Sequence, residues 1–480
     1  MTFKHIPKDS RKKILLLCDD IRMHSGIGGM GREIVIGTSH HFNWVNLGAG
    51  INHPDIGKIL DLSEDVNKHA NINDAYVKVI PNNGYGTPDT IRQLISLEKP
   101  DAIMIFTDPR YWIWLFEMER EIRSSIPIFY LNIWDNYPAP MFNRSYYESV
   151  DLLMAISKQT KLINELVLGE KKHDKVITYV PHGINDKYFF PIDLKHPQYR
   201  ELIQFRNTTI PNNNIDFVLL YNSRNIRRKS TSDLILGYKV FCDMIGKEKS
   251  KRCALVLHTE ILHEAGTDLK AVCEAFCDPE YINVYFSTDK FDTRQMNFLY
   301  NISDATISVS ANEGWGLSLT ESLMAGTMVI SNVTGGMQDQ LRFEDNEGNW
   351  YTPTPDVPSN HLKTYTKCGE WGIPVFPVCR SLVGVPITPY IFEDHVTPED
   401  TAQAILKVYN MSNSEREKRG QKGREWVLSE ESGMSSKVMC NNVIRSMNMG
   451  FDKFVPRKSF ELIKVDDMNS NLITHKLTGY

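Results

Sequence analysis

The chain has 480 residues, of which 41% are hydrophobic and 24% charged. These values are those of an ordinary folded protein and exclude a largely disordered chain, a collagen-like repeat and a membrane bundle. The 54 basic and 59 acidic residues leave a formal net charge of -5, which excludes a general polyanion binder but leaves room for a local basic groove.

The N-terminal segment predicts a protein without a secretory signal. It is basic from Lys4 to Lys13, but only the short apolar run Ile14–Cys18 follows before Asp19 and Asp20. A secretory signal needs a longer apolar core, and a membrane helix needs about 18 apolar residues. We therefore expect a cytoplasmic protein with no transmembrane segment.

Strands alternate with helical stretches in the first part of the chain. The predicted strands, each a short apolar run, are Lys13–Cys18, Asp101–Phe106, Ile126–Ile133, Leu152–Ile156 and Val176–Val180. A glycine-rich segment, Ser25–Gly31, follows the first of them, and Tyr111–Arg123 has a helical pattern. This alternation predicts a parallel sheet with helices on both faces.

A second alternating series begins after a polar, proline-containing segment at about 191–215, which we interpret as a linker. Its predicted strands are Phe217–Tyr221, Ala254–His258, Ile282–Phe286, Ala305–Ser310 and Met328–Ser331. Since a domain has about 150 residues as a guide, we predict two α/β domains, 1–195 and 216–440. We also predict an insertion at about 346–395, where no clear period is present, and a C-terminal tail at 441–480.

The most informative segment is Ser310–Gly326, in which a strand is followed by a glycine-bearing loop and then a helix. Gly314 and Gly316 let the backbone approach a ligand closely, and a helix N-terminus offers free N–H groups to a phosphate. Glu313 lies before the predicted helix and Glu321 about one turn inside it, so the two carboxylates bracket a ligand longer than one sugar. Carboxylates accept hydrogen bonds from sugar hydroxyls.

This Glu-x7-Glu frame resembles the signature of retaining nucleotide-sugar glycosyltransferases of family 4, which have the GT-B fold. Four more segments resemble family motifs in the expected order: Tyr179–Asn185 with Phe189–Pro191, Tyr221–Lys229, Thr334–Gly336 and Glu415–Trp426. The strong resemblance covers about 176–345 and 395–426. The 391–426 region and the run from Arg224 to Lys229 are also similar to phage-encoded relatives of this family.

The resemblance implies two Rossmann-like, doubly wound domains facing each other across a cleft, with the donor site mostly in the second. It assigns Glu313 to the donor sugar and Glu321 to the ribose of a nucleoside-diphosphate sugar. Backbone groups of Gly314, Trp315, Gly316 and Leu317 are implied to hold the diphosphate. Gly28 and Gly29 match the glycine loop that faces donor and acceptor from the first domain, and the alternative is a tight strand–helix turn.

Arg224 and Lys229 are the predicted cations for the diphosphate. Arg offers a planar fork for two phosphate oxygens and Lys adds a compact charge, and a position after a strand places them at the carboxyl edge of the sheet. The alternative is a solvated basic loop, which the neighbouring Arg227 and Arg228 favour. Ser230 replaces the glycine that the family usually has, which questions the backbone path of this loop.

The catalytic residue of the first domain is predicted by position. Many relatives have His after the strand that corresponds to Ile126–Ile133, and here Asp135 takes that place. We therefore expect Asp135 to orient the acceptor or to stabilise charge at the reacting carbon, with Asp108 as second choice and His24 and His182 as further candidates. An Asp that closes a strand is otherwise a cap or turn residue.

No metal is expected, because no two aspartates are separated by a single residue and the Asp-x-Asp motif of the other large glycosyltransferase fold is missing. The negative charge of the leaving group is then expected to be stabilised by Arg224, Lys229 and the helix N-terminus. The family also implies retention of anomeric configuration and closure of the domains over the cleft.

The sequence leaves several alternatives open. A GT-B nucleotide-sugar epimerase, a phosphorylase and a non-catalytic sugar-nucleotide binding protein have the same architecture. The acceptor is a saccharide, a small molecule or a hydroxymethylated base of phage DNA, and the last requires a basic surface and an extruded base.

Overall fold

The first sheet contains eight strands and is built on the first 180 residues. The structure is a computed structural model that describes residues 3–50 and 54–458. The strands are β1 (Lys12–Asp19), β2 (Phe42–Ala49), β3 (Leu60–Asp61), β4 (Val77–Pro81), β5 (Ala102–Ile105), β6 (Ile128–Asn132), β7 (Leu152–Ala155) and β8 (Val176–Tyr179). Their order is β3-β4-β2-β1-β5-β6-β7-β8, and only the β3–β4 pair is antiparallel.

All five strands predicted for this region are present, because each is a continuous apolar run that suits a sheet covered on both faces. Alternate residues of β1 enter different cores: Ile14 and Leu16 contribute to the core that both domains share, and Leu15 and Leu17 lie on the other side of the sheet. Strands β2, β3 and β4 were not predicted from the sequence. Every residue of β2 is buried, but its two asparagines break the apolar run.

Helices cover both faces of the first sheet. They are α1 (Gly26–Thr38), α2 (Ser63–Ala70), α3 (Pro88–Glu98), α4 (Ile113–Glu117), α5 (Glu119–Ile122), α6 (Arg144–Glu148) and α7 (Lys158–Leu168). The single helix predicted at Tyr111–Arg123 is instead a 3-10 turn followed by α4 and α5, which meet at Met118.

The predicted linker is not an open segment. It contains α8 (Tyr199–Thr209), and Leu202 of this helix packs with Ile192 and with Phe298 of the second domain. The segment is polar and proline-rich, as expected of an exposed connection. The apolar side of α8 nevertheless packs against the second domain.

The second sheet has the order β11-β10-β9-β12-β13-β14 and is parallel throughout. Its strands are β9 (Phe217–Asn222), β10 (Cys253–His258), β11 (Asn283–Ser287), β12 (Ala305–Ser308), β13 (Met328–Asn332) and β14 (Gly372–Val375). The helices between them are α9 (Thr231–Ile245), α10 (Lys247–Ser250), α11 (Leu269–Phe276), α12 (Thr293–Asn301), α13 (Leu317–Met324) and α14 (Met337–Leu341). This is the doubly wound strand order of a Rossmann fold.

The region predicted as an insertion belongs partly to the second domain. Residues 372–375 form β14 and pair with β13, which completes the sheet. Beyond it lie the antiparallel hairpin β15 (Cys379–Val385) and β16 (Thr388–His395), then α15 (Pro398–Tyr409) and α16 (Asn413–Leu428). Proline and aromatic residues conceal the period of β14, and only long-range pairing reveals it.

The chain returns to the first domain through α17 (Ser436–Lys453), which spans the boundary at which the sequence predicted a tail. This helix packs against α1, β7 and β8. It approaches closely because it meets glycines: a methyl group at Gly183 or Gly450 would overlap Ser435 or Phe129, respectively. Residues 459–480 of the predicted tail lie outside the described residues.

We expect Gly37→Ala to destabilise the protein at this contact. An added methyl would overlap the thiol of Cys440 on α17, and overpacking costs about 1–3 kcal/mol, whereas alanine in a helix regains about 1 kcal/mol. The midpoint of thermal unfolding is the measurement, and we expect it to fall by a few degrees. The Cys440→Ala substitution, added to Gly37→Ala, should restore most of the lost thermal stability. If the destabilising effects of the two substitutions simply added, this packing would be contradicted.

The two domains are joined at the carboxyl ends of their sheets. Gly314, which follows β12, lies against the backbone of Ile133 and the side chain of Ile156, which follow β6 and β7. The arrangement is the one that the GT-B resemblance implies. Within residues 3–50 and 54–458, no helix is both long and apolar enough to cross a bilayer.

Candidate active site

The predicted donor residues lie at the centre of the second sheet. Strands β9 and β12 are neighbours, although four helices and two strands separate them in sequence. The loop after β9 carries Arg224–Lys229, and the loop after β12 carries Asn312–Gly316. Since ligands of doubly wound sheets bind outside the carboxyl ends at the point where the strand order reverses, this is the expected position of a ligand site.

Glu313 contacts the cations of the neighbouring loop. Its Oε2 accepts a hydrogen bond from Lys229 Nζ and lies 3.4 Å from Nη1 of Arg228. The Lys229 and Glu313 side chains are only 11% and 14% exposed. Arg228 also donates to the carbonyl of Asn312 at 2.7 Å and accepts from the N–H of Ala311. The two loops therefore form one unit around a buried ion pair.

A glycine pair supports the backbone behind Glu313. The N–H of Gly336 donates to the Glu313 carbonyl at 3.0 Å, and a side chain at Gly335 would overlap that same oxygen. Gly335 has φ +51° and Gly316, the residue before α13, has φ +83°. Glycine adopts these left-handed conformations at little cost, so the loop can bend sharply into the helix.

The carboxylate of Glu321, on α13, is held near the end of β9 by a chain of hydrogen bonds. Its Oε2 accepts a hydrogen bond from Tyr300 Oη at 2.5 Å, and Tyr300 Oη accepts in turn from Asn222 at 2.8 Å. Burial raises the pKa of Glu321, and the Tyr300 hydroxyl opposes that rise. A carboxylate fixed by two residues from other elements is preorganised to receive hydroxyl groups of a ligand.

Arg224 is exposed and, among the residues that the structure describes, its guanidinium makes no hydrogen bond or ion pair. Its charge is therefore free to pair with an anion, whereas the charge of Lys229 is shared with Glu313. Ser230 adopts φ +51°, so the chain keeps a backbone conformation typical of glycine although the residue is serine.

Gly28 and Gly29 lie in the first turn of α1 and not in an open loop. Ser25 caps this helix: its Oγ accepts from the Gly28 N–H at 2.9 Å and its carbonyl from the Gly29 N–H at 2.8 Å. The glycines themselves thus have their N–H groups engaged. A methyl group at Gly26 would lie 3.4 Å from Leu317, so the N-termini of α1 and α13 face each other across the cleft.

Asp135 follows β6 and faces the second domain. Its Cβ is 3.9 Å from the position of a methyl group on Gly314. Burial raises the pKa of Asp135, and the charges of Arg228 and Lys229 oppose that rise. The structure thus brings Asp135 from the first domain together with the Glu313 cluster of the second.

The other candidates of the first domain occupy different places. Asp108 forms an ion pair with Arg110 and caps the turn that begins at Pro109. His182 is buried between Phe106 and Trp315, and burial lowers its pKa to about 4, so it is a neutral packing residue at pH 7. His24 is exposed at the start of the glycine segment.

Trp315 contributes packing. Its side chain is 2% exposed, and its Nε1 donates to Thr320 Oγ1 at 2.9 Å. Any contact of this residue with a ligand is therefore a backbone contact.

Within the described ranges, no group of three or more His, Cys, Asp or Glu residues is arranged to hold a metal ion.

Sequence reasoning missed two supporting contacts. Arg228 was interpreted as a sign of a solvated loop, but it bridges Asn312 and Glu313. Tyr300, which positions Glu321, carries no local signal, because its hydroxyl reaches Glu321 from a different helix. The sequence marks Gly335 only as part of the glycine pair Gly335–Gly336. The spacing of this pair from Glu313 does not reveal that they are in contact.

Comparison with known proteins gives one family match. Residues 283–367, which include Glu313, Glu321 and the glycine pair, match the family described as Glycosyl transferases group 1. No curated protein matches the chain.

Solved structures share the fold over nearly the whole chain. Sucrose-phosphate synthase from Thermosynechococcus elongatus is 14% identical with a TM-score of 0.64, and the match covers 92% of this chain and 100% of that one. HepE from Anabaena, in complex with UDP-glucose, is 12% identical with a TM-score of 0.62 and the same coverage. A UDP-forming α,α-trehalose-phosphate synthase from Burkholderia xenovorans is 11% identical with a TM-score of 0.59, and the match covers 91% of this chain and 99% of that one. The chain has the GT-B fold, and the family match supports a glycosyltransferase.

Proposed function

We propose that this protein transfers a sugar from a nucleoside-diphosphate sugar to an acceptor hydroxyl, with retention of configuration and without a metal ion, as a member of family 4. The observation that carries the proposal is the contact of Glu313 with Lys229 where the strand order of the second sheet reverses. Glu321 lies on the helix that follows Glu313. The cation suits a diphosphate, and the two carboxylates suit the hydroxyls of two sugars. The helix N-terminus suits the phosphate oxygens. HepE was solved with UDP-glucose on the same fold, which is consistent with this donor class.

The residues have distinct tasks in the proposed reaction. Glu321 binds the ribose, and Glu313 binds hydroxyls of the transferred sugar. As the bond to the sugar breaks, negative charge develops on the diphosphate, and Arg224, Lys229 and the start of α13 stabilise it. Fixed charges in a site that excludes water need no reorganisation during the reaction, so this set takes the place that a metal ion has in other transferases.

A panel of nucleotide sugars tests the donor. The wild-type protein is incubated with UDP-, GDP-, ADP- and dTDP-linked sugars, and release of the nucleoside diphosphate is measured with and without EDTA. We expect release from at least one donor, at an equal rate in EDTA. Binding without release would indicate a non-catalytic protein, and a rate that falls in EDTA would contradict the metal-independent mechanism.

Retention has its own test. Proton NMR of the newly formed glycosidic bond gives the anomeric configuration of the product. We expect the configuration of the donor, and an inverted product would contradict the family-4 assignment while it leaves the donor class intact.

We expect Asp135→Asn to lower kcat by about 100-fold, the lower end of what loss of one electrostatic contact costs. Asparagine keeps the size of the side chain but removes the charge that faces Arg228 and the reacting carbon. Steady-state kinetics with the selected donor measure the effect, and the donor KM should change little.

Asp65→Asn is the control. Asp65 is an aspartate of the first domain on α2, and its side chain is 70% exposed. Its replacement should leave the rate of donor hydrolysis within about twofold of wild type, because the side chain faces solvent. An effect as large as that of Asp135→Asn would contradict the role of Asp135.

A further inference from the structure

The hairpin of β15 and β16 extends from the second domain to the first. Near its tip, Arg110 donates to the carbonyl of Ile387 at 3.3 Å. Along β16, Phe392 donates its N–H to the Tyr137 carbonyl at 2.7 Å and accepts from Asn136 Nδ2 at 2.9 Å. The hairpin is thus seated on the loop that carries Asp135.

The base of the hairpin is fixed to the donor loops. Glu393 is 1% exposed and accepts two hydrogen bonds of 2.6 Å from Arg227. Asp394 is 3% exposed and accepts from Arg380 and, at 2.8 Å, from the hydroxyl of Thr334. Because Arg227 and Thr334 adjoin Arg228 and Gly335, the hairpin keeps a defined position relative to Glu313.

The hairpin forms one wall of a cavity of 360 Å³ between the domains. Its lining includes Asp108, Arg110, Trp134, Asp135, Val383 and Ile391. Small-molecule sites occupy about 300–1,000 Å³, so the cavity has room for a small molecule. Arg228 and Asn312 also line it, and a molecule inside therefore lies next to the loop that carries Glu313.

The charges around the cavity are balanced. Three of the arginines on its wall or on the hairpin are each held by a carboxylate, in the pairs Arg110–Asp108, Arg227–Glu393 and Arg380–Asp394. Arg228, the fourth, faces Glu313. A nucleic-acid backbone is bound by Lys and Arg that are free to neutralise phosphates. Paired arginines favour an uncharged ligand.

The lining of the cavity combines apolar and polar residues. Trp134, Val383 and Ile391 provide apolar surface, whereas Asp135 and Asn136 provide oxygen and amide groups. A saccharide has a similar division, since its C–H groups suit apolar side chains and its hydroxyls bind carboxylates and amides.

We propose that this cavity binds the acceptor, that the hairpin is its specificity-determining wall, and that the acceptor is a neutral saccharide. The inference rests on the proposed function, because it places the acceptor hydroxyl beside the donor site assigned above.

The test places a larger side chain on the hairpin, so that this side chain fills the cavity. Val383 and Ile391 face each other across the two strands and both line the cavity, whereas Leu382 lies on β15 next to Val383 and is 63% exposed. Successive strand residues point to opposite faces. Val383→Trp should therefore occupy the cavity, and Leu382→Trp adds the same group outside it.

Transfer is measured to two acceptors: a mixture of glucose, mannose, galactose, maltose and cellobiose, and a duplex oligonucleotide that contains 5-hydroxymethylcytosine. We expect wild type to glycosylate a saccharide, and Val383→Trp to lower that rate at least tenfold while Leu382→Trp changes it less than twofold. Donor affinity, measured by calorimetry, should be the same in all three proteins. Ile391→Phe is the second variant in case Val383→Trp unfolds at a lower temperature, and it should lower transfer in the same direction.

The outcomes separate the inference from the proposed function. Absence of donor binding in wild type removes the proposed function and this inference with it. Donor binding with equal transfer by Val383→Trp and Leu382→Trp overturns the cavity assignment alone. Transfer to the oligonucleotide and to none of the saccharides overturns the neutral acceptor and favours modified DNA.

Discussion

Glu313→Gln is expected to lower kcat by about 1000-fold, the upper end of the effect of removing one preorganised charge. Glutamine has the same length and keeps one oxygen, but it removes the negative charge that contacts Lys229 and Arg228. The transferred sugar then loses its carboxylate partner while the nucleotide contacts remain. Release of nucleoside diphosphate measures kcat, and calorimetry measures the nucleotide affinity.

The control for this variant is Glu347→Gln, an exposed glutamate of the same domain, which should have wild-type kinetics. Breaking a buried ion pair by itself costs about 3–5 kcal/mol, so the midpoint of thermal unfolding is recorded for both variants. A Glu313→Gln protein that is folded, binds nucleotide and turns over at the wild-type rate would remove Glu313 from the mechanism.

Lys229→Met is expected to weaken nucleoside diphosphate binding by about 3 kcal/mol, more than 100-fold in Kd, since a buried and hydrogen-bonded charge contributes about 2–5 kcal/mol. Without a nucleotide, Lys229 is bound to Glu313. A diphosphate brings the second anion that this cation needs, and methionine keeps the stem but removes the charge. Calorimetric titration with UDP, GDP and ADP measures the change.

Arg224→Met is the matched comparison, because Arg224 is exposed whereas Lys229 is buried. Salt screens exposed charges strongly, so the effect of Arg224→Met should be smaller and should shrink as the salt concentration rises. If the two variants bind equally well, or if Lys229→Met binds as wild type does, the buried cation is not a diphosphate ligand.

The strand–loop–helix unit that carries Glu313 and Glu321 was predictable because its signal is local. Glu313, Gly316 and Glu321 lie within nine residues of one another in a strand–loop–helix unit, and the backbone conformation of such a unit depends mainly on its own glycines. Ser230 shows the limit of this reasoning. Its left-handed conformation is imposed by the loop, and composition alone argued against it.

The remaining parts depend on contacts between distant segments. Strand β14 takes its place by pairing with β13, with Gly372 opposite Val329. Helix α17 has buried residues at helical spacing, but its place depends on packing against α1, β7 and β8 of the first domain. The cavity wall is a clearer example, since Val383 and Asp135 line the same cavity although they are far apart in the chain. A hairpin whose apolar residues are largely exposed has no strong core pattern, so its role required the structure.

The most direct test of sugar transfer at this site follows the sugar itself. A donor labelled with carbon-13 in the sugar is incubated with the wild-type protein and the neutral saccharide mixture, and the products are identified by NMR and mass spectrometry. The account predicts that each nucleoside diphosphate released is matched by one new glycosidic bond between the labelled sugar and a saccharide. Recovery of the donor unchanged, or of its epimer still attached to the nucleotide, would contradict it.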